Sequence, residues 1–204
     1  MDRVMEFERW ETRYETPDYL FGTEPNAFLA AQRSRLPKSG RALAVADGEG
    51  RNGVWLAEQG LDVLSIDFSP KAQTKARALA NARGVKLTIE LADVTRWEWP
   101  ANSFDVIAVI FTQFSGPVER ERMFAGIRKA LKPGGLLVME GYTPKQLEYG
   151  TGGPSRVENM YTRELLEKSF GDFAKIEIRE YETEMSEGSR HAGMSALIDL
   201  VATK

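Results

Sequence analysis

The chain has 204 residues, 42% hydrophobic and 28% charged, with a formal net charge of −3. That length suits one well-packed domain, and the mildly acidic balance argues against a nucleic-acid surface, which needs a basic footprint. Cysteine is absent and histidine occurs once, at His191, which excludes disulfides and thiolate nucleophiles and speaks against cysteine- or imidazole-rich metal sites. Residues 1–10 are charged throughout and no run approaches the ~18 apolar residues of a membrane span, so a cytoplasmic protein without a membrane partner is expected.

Residues 1–39 are rich in aromatics, and Phe7, Trp10 and Tyr14 fall at the i, i+3, i+7 spacing of one helical face. A turn-containing stretch from Tyr19 to Pro25 leads into a second helix over roughly 26–35. This segment is expected to form a helical lid or extension on a single domain covering 1–204. From Arg41, short apolar runs alternate with helical stretches: a strand over 41–46, a helix over 52–59 closed by Gly60, and a strand over 63–67. Ser69 and Pro70 supply an N-cap and a first helical position for a helix over 71–83, which ends at Gly84. A third strand covers 86–91. The near-continuous apolar run 104–111 reads as a strand covered on both faces. A helix over 119–131 is stopped by Lys132-Pro133-Gly134-Gly135, before a strand over 136–142. Residues 143–159 are polar and glycine-rich, the composition of a loop. A short helix over 162–170 follows, with threonine at its N-cap. The last strands, 174–183 and 196–203, have no helix-length segment between them and are expected to pair antiparallel. The fold class is therefore α/β: a doubly wound, mostly parallel seven-stranded sheet closed by a C-terminal antiparallel hairpin.

The segment Leu43 to Gly53 reads L-A-V-A-D-G-E-G-R-N-G, a strand running into a turn whose Gly48, Gly50 and Gly53 have the spacing G-x-G-x-x-G. Such a turn lets the backbone approach a ligand closely, and the helix behind it offers free N–H groups. NAD-type dinucleotides and S-adenosylmethionine both use this corner. Asp67, at the end of the second strand, suits the ribose hydroxyls of either. Three features favour the second: only about 60 residues follow the fifth strand, too few for a substrate domain; Asp93 ends the third strand, in reach of an adenine amino group; and Lys-Pro-Gly-Gly precedes a final hairpin.

The order of glycine turn, Ile66-Asp67-Phe68-Ser69-Pro70, Ala92-Asp93-Val94, Phe104-Asp105-Val106-Ile107 and Lys-Pro-Gly-Gly resembles the class I S-adenosylmethionine-dependent methyltransferases from about residue 41 onward. Trp10-x-x-Arg13-Tyr14, Tyr19-x-Phe21-Gly22-x-x-Pro25, Glu140-Gly141-Tyr142 and Tyr149 to Gly153 are similar to a bacterial subgroup related to tellurite-resistance-type enzymes. The resemblance implies a Rossmann-like methyltransferase fold, S-adenosyl-L-methionine as cofactor and in-line methyl transfer to a small-molecule acceptor. The cofactor-binding set it implies is Trp10, Arg13, Phe21, Gly22, Asp47, Gly48, Gly50, Asp67, Phe68, Asp93 and Val94. Trp10 serves either as part of an aromatic lid over the sulfonium or as core packing, and Arg13 either meets the methionine carboxylate or is solvated. The pattern departs at Ala44 and Ala46, where many members carry an acid and the first glycine. Asp47 either replaces that acid or caps the turn. Tyr142 and His191 are the catalytic candidates. His191 is expected in a loop between the last strands, either exposed or poised to titrate near neutral pH as a base or, with Arg190, as an anchor for an acidic substrate. A module that binds the cofactor or its product without catalysis, and an NAD-linked oxidoreductase, are the alternatives.

Overall fold

The structure, a computed structural model, describes residues 3–188 and 191–204. In chain order the elements are α1 (Arg3–Arg13), α2 (Ala27–Ala31), β1 (Arg41–Val45), α3 (Arg51–Glu58), β2 (Asp62–Asp67), α4 (Pro70–Ala82), β3 (Thr88–Leu91) and β4 (Phe104–Ile110). They continue with α5 (Pro117–Ala130), β5 (Leu131–Tyr142), α6 (Gln146–Tyr149), α7 (Arg163–Phe170), β6 (Lys175–Glu187) and β7 (His191–Thr203). The seven strands form one sheet in the order β3-β2-β1-β4-β5-β7-β6. β1 to β5 are parallel, and β7 pairs antiparallel with both β5 and β6. The expected architecture is thus the one observed.

Alternate residues of the central strands feed two cores. Leu43, Ile107 and Leu137 join Phe124, Tyr161 and Phe170 on one face, while Ala42, Val106 and Val138 join Leu29, Trp55 and Leu56 on the other. Burial on both faces accounts for the continuous apolar run of β4. Helix starts follow local chemistry: Ser69 Oγ accepts the Ala72 N–H, Thr162 accepts that of Leu165, and Asn26 accepts that of Leu29.

Three boundaries differ from expectation. The helix over 26–35 splits into α2 and a 3-10 turn at Arg33–Arg35, and Leu36 before Pro37 is extended. Lys132-Pro133-Gly134-Gly135 does not separate helix from strand; it bulges out of β5, since Phe104 faces Leu131 while Val106 faces Leu136. The final hairpin is longer, because β6 runs to Glu187 and β7 starts at His191. β6 is an edge strand with charged side chains on much of its length, so the apolar alternation that marks a strand fades before its end. No helix among the described residues is long and apolar enough to cross a membrane.

Candidate functional site

β1 sits between β2 and β4, so the connections leave it toward opposite faces and a crevice opens at the carboxyl ends of these strands. Three adjoining cavities, of about 280, 80 and 370 Å³, occupy it, and Phe114 lines all three. The strand ends are bent to form it: Ala46 and Phe111 have left-handed backbones, with φ of 48° and 54°. Ala46 is the position where the family pattern has glycine, which adopts this conformation without strain.

The smallest cavity lies beside the glycine turn and is lined by Asp47, Gly48 and Asp67 together with Tyr14, Trp10 and Phe21. Gly48 has φ of 57°, and a Cβ there would lie 2.8 Å from the Tyr14 hydroxyl, so the turn is roofed by the end of the N-terminal segment. Asp67 is buried; its Oδ2 accepts the Gly48 N–H at 2.8 Å and its Oδ1 the Ser69 N–H at 2.9 Å. Burial raises its carboxyl to about 6 against the pull of these bonds. A carboxylate has more lone pairs than these backbone bonds use, and it is the acceptor that two donating ribose hydroxyls require.

Asp47 is committed differently. Its carboxylate accepts the Gly53 N–H at 3.1 and 3.2 Å and the Ser65 hydroxyl at 2.8 Å. A Cβ on Gly53 would lie 2.4 Å from that carboxylate, so the third glycine makes room for it. Burial pushes Asp47 up to about 7.

The 280 Å³ cavity is lined by Phe68, Asp93, Val94, Thr95 and Phe114. Phe68 and Phe114 hold their rings near parallel, centroids 6.4 Å apart. Asp93 Oδ1 accepts both the N–H and the hydroxyl of Thr95, at 2.9 and 2.7 Å. The 370 Å³ cavity is lined by Trp10, Arg13, Phe21, Tyr142 and His191 and by the glycine-rich loop at 150–154. Trp10 stacks on Tyr14 at 5.5 Å and donates Nε1–H to Glu6, and the Arg13 guanidinium lies 4.8 Å from the Trp10 ring.

Residues 42–135 match the family model described as a methyltransferase domain. That stretch, somewhat under half of the chain, is similar to a methyltransferase domain. The chain is similar to a demethylmenaquinone methyltransferase of Thermus thermophilus, 31% identical over 106 residues, which are 51% of this chain and 48% of that protein. The chain thus spans about half the length of that curated relative. Among solved structures, one determined for the conversion of a disulfide bond into a thioacetal group during echinomycin biosynthesis superposes with a TM-score of 0.75 at 17% identity, covering 98% of this chain and 92% of that one. TehB from Haemophilus influenzae superposes with a TM-score of 0.67 at 13% identity, covering 98% of this chain and 67% of that one. At such identities these two speak for the methyltransferase fold alone.

Two of the expected cofactor glycines do not reach the cavities described. Gly50, with φ of 88°, is the N-cap of α3, and a Cβ there would lie 2.6 Å from that of Ala76, so it serves the approach of α3 to α4. Gly22 packs against the turn at Gly188. The expectation of a loop histidine is overturned: His191 is the first residue of β7, only 9% exposed, with its ring 4.5 Å from that of Phe21 and 4.4 Å from that of Phe111. Burial and the nearby Arg51 lower it to about 3, so it is neutral at working pH and does not titrate near neutrality. Arg190, its suggested companion, lies outside the described residues. Tyr142 is buried, 4.8 Å from Phe111 and 6.0 Å from His191, and burial raises its phenol above the ordinary range.

Sequence reasoning missed Phe111, Gln113 and Phe114, which follow β4 and enter the crevice; the end of a central parallel strand was the available signal. It also missed a buried polar network behind the site. Arg51 pairs with Glu187 at 2.7 Å and donates to the Phe21 carbonyl at 3.2 Å. Asn26 donates to Glu140 and Glu187. Glu140 stands opposite Asp199 across β5 and β7 and is hydrogen-bonded to it; burial and the Asp199 charge raise Glu140 strongly, so Glu140 holds the proton.

Proposed function

We propose that the protein transfers a methyl group from S-adenosylmethionine to a small-molecule acceptor. The observation carrying this reading is that Gly48, Asp67, Phe68, Asp93 and Val94 line one run of adjoining cavities at the carboxyl ends of β1 to β3. The side chains suit the cofactor: carboxylate oxygens of Asp67 to accept from the ribose hydroxyls, the facing rings of Phe68 and Phe114 for the adenine, and the carboxylate of Asp93 to accept from its amino group. Trp10, Tyr14 and Phe21 present aromatic faces for the sulfonium, and residues 1–39 act as the lid of a single domain. Arg13 is the side chain for the methionine carboxylate. Asp47, already accepting two hydrogen-bond donors, is a turn cap in this reading rather than the ammonium partner. When bound, the cofactor supplies an electrophilic methyl; the chain's work is to align the acceptor about 3–3.5 Å from it and to keep water out. Likeness to the tellurite-resistance-type subgroup rests on the N-terminal aromatic motifs, on Glu140-Gly141-Tyr142 and on Tyr149 to Gly153.

Thermal unfolding with S-adenosylhomocysteine, S-adenosylmethionine and NADH tests the reading. A ligand at ~100 times its dissociation constant adds about 2.7 kcal/mol, which moves the melting point by roughly 5–10 °C at this size. A shift with the adenosyl ligands alone is expected. A shift with NADH alone, or none, refutes it, and methyl transfer from labelled cofactor to a metabolite pool separates an enzyme from a binding module.

A further inference from the structure

We infer, on the methyltransferase reading above, that Gln113 is a positioning residue: it carries the seating of an adenine between Phe68 and Phe114 to Tyr142 and the wall of the neighbouring 370 Å³ cavity. That cavity then takes its working shape only once the adenosyl group is in place.

The pairing of β4 with β5 ends at Ile110 and Glu140, because Phe111 turns into the left-handed region. Tyr142, two residues further along β5, is left with no strand beside it on that side. The buried side chain of Gln113 takes the strand's place: its Oε1 accepts the Tyr142 N–H at 2.6 Å and its Nε2 donates to the Tyr142 carbonyl at 2.8 Å. A side-chain amide offers one acceptor and one donor edge, as the missing backbone would, so the two bonds fix Tyr142 as a ladder does. A Cβ on Gly141 would lie 2.7 Å from that Oε1, which explains the glycine of Glu140-Gly141-Tyr142: the amide lies where a side chain would stand.

Phe114 is the next residue in the chain. Its ring and that of Phe68 are near parallel, centroids 6.4 Å apart. A flat base between two rings needs about 3.5 Å on each side, about 7 Å in all, so seating an adenine there spreads them by roughly half an ångström or more. Phe68 is braced, since the Ser69 N–H is bonded to Asp67 across it and the Phe7 ring meets it edge-on at 5.8 Å. Phe114 stands in the loop between β4 and α5, so it is the ring that yields. Close packing passes such a shift on, and the clamp of Gln113 leads it to Tyr142. The Tyr142 ring in turn lies 4.8 Å from that of Phe111 and against Gly153, where a Cβ would come within 2.9 Å of it. Gly153 belongs to the glycine-rich loop, which Gln146 ties to β7 by accepting the Ala196 N–H at 2.8 Å and donating to the Thr151 hydroxyl at 2.9 Å. Phe111, Tyr142 and this loop all line the 370 Å³ cavity.

Adenosine is the probe, because it has the base and the ribose but no amino-acid arm, and Tyr142 does not line the 280 Å³ cavity. The six tyrosines are labelled as fluorotyrosine, and the Tyr142 signal is assigned by its absence from Tyr142→Phe. Saturating adenosine is expected to move that signal in the wild type and to leave it in place in Gln113→Met, which keeps the length of the side chain and loses both bonds. Gln113→Glu supplies a rescue within one protein. Its protonated carboxyl has an O–H to donate and an oxygen to accept, and burial raises the pH at which it ionises. The shift should therefore be present at about pH 5 and lost at about pH 9, while the wild type shows it at both. A Tyr142 signal that follows adenosine in Gln113→Met overturns the inference. So does a Gln113→Glu response that is the same at both pH values, which would leave Gln113 a structural clamp that lowers the melting point and nothing more. A wild-type signal that adenosine leaves unmoved, while S-adenosylhomocysteine raises the melting point, overturns the inference alone. No melting shift with S-adenosylhomocysteine overturns the methyltransferase reading as well.

Discussion

An Asp47→Asn variant is expected to keep the glycine turn intact while losing a pH dependence that the wild type carries. Asparagine can meet the same partners, its carbonyl accepting the Gly53 N–H and its amide donating to the Ser65 hydroxyl. In the wild type, burial moves the Asp47 carboxyl from 3.8 to about 7. A folded-state pKa above the unfolded one means that folding takes up a proton, so stability is greatest below the unfolded pKa and falls as pH rises through this window. Between about pH 5 and about pH 8 Asp47 therefore removes about 2–3 kcal/mol, at about 1.4 kcal/mol for each tenfold change in proton activity. Urea unfolding of both proteins at these two pH values reads the effect directly. The variant should gain roughly 2 kcal/mol on the wild type as pH rises, and its affinity for S-adenosylhomocysteine should stay within about threefold. Parallel stability curves refute the desolvation argument. A loss of affinity beyond about tenfold, with melting unchanged, would make Asp47 the ammonium partner instead of a cap.

Ala46→Gly should stabilise the protein by about 0.5–1 kcal/mol, since φ of 48° strains alanine and not glycine; a lower melting point refutes this. Gly50→Ala should cost about 2–4 kcal/mol, because its Cβ would lie 2.6 Å from that of Ala76. Gly84→Ala, at φ of 67° with nothing within 4 Å, should cost only about 1 kcal/mol, so equal losses in the two variants would refute the packing argument. Asp67→Asn should weaken S-adenosylhomocysteine binding about 10–100-fold in calorimetric titration, the weight of charge-assisted bonds to two hydroxyls; a loss under about threefold removes Asp67 from the ribose role.

The parallel half of the sheet was legible in the sequence because each strand and helix there is bounded by its own chemistry: Ser69-Pro70 opens α4, Gly84 follows it, and two-sided burial makes β4 uniformly apolar. That Gly48 and Asp67 would line one cavity was legible for the same reason, since both sit at fixed distances from strand ends. His191 was not. Its place depends on how far two strands remain paired, and β6 alternates exposed and half-buried positions with charged residues that read equally well as a loop. Arg51, Glu187, Asn26 and Glu140 were invisible because they meet across as many as 161 residues of chain, and no local pattern reports such a meeting.

The place of β7 has a consequence for the order in which the protein can be made. β7 follows β6 in the chain, yet it lies between β5 and β6 and joins them. Until it emerges, β5 presents an open apolar edge and β6 has no strand to pair with. Asn26 and Arg51 find Glu187 only when the far end of β6 has been made. The nascent chain can assemble the parallel strands as they appear, but the wall that carries His191 is raised only after β6 and β7 have both emerged.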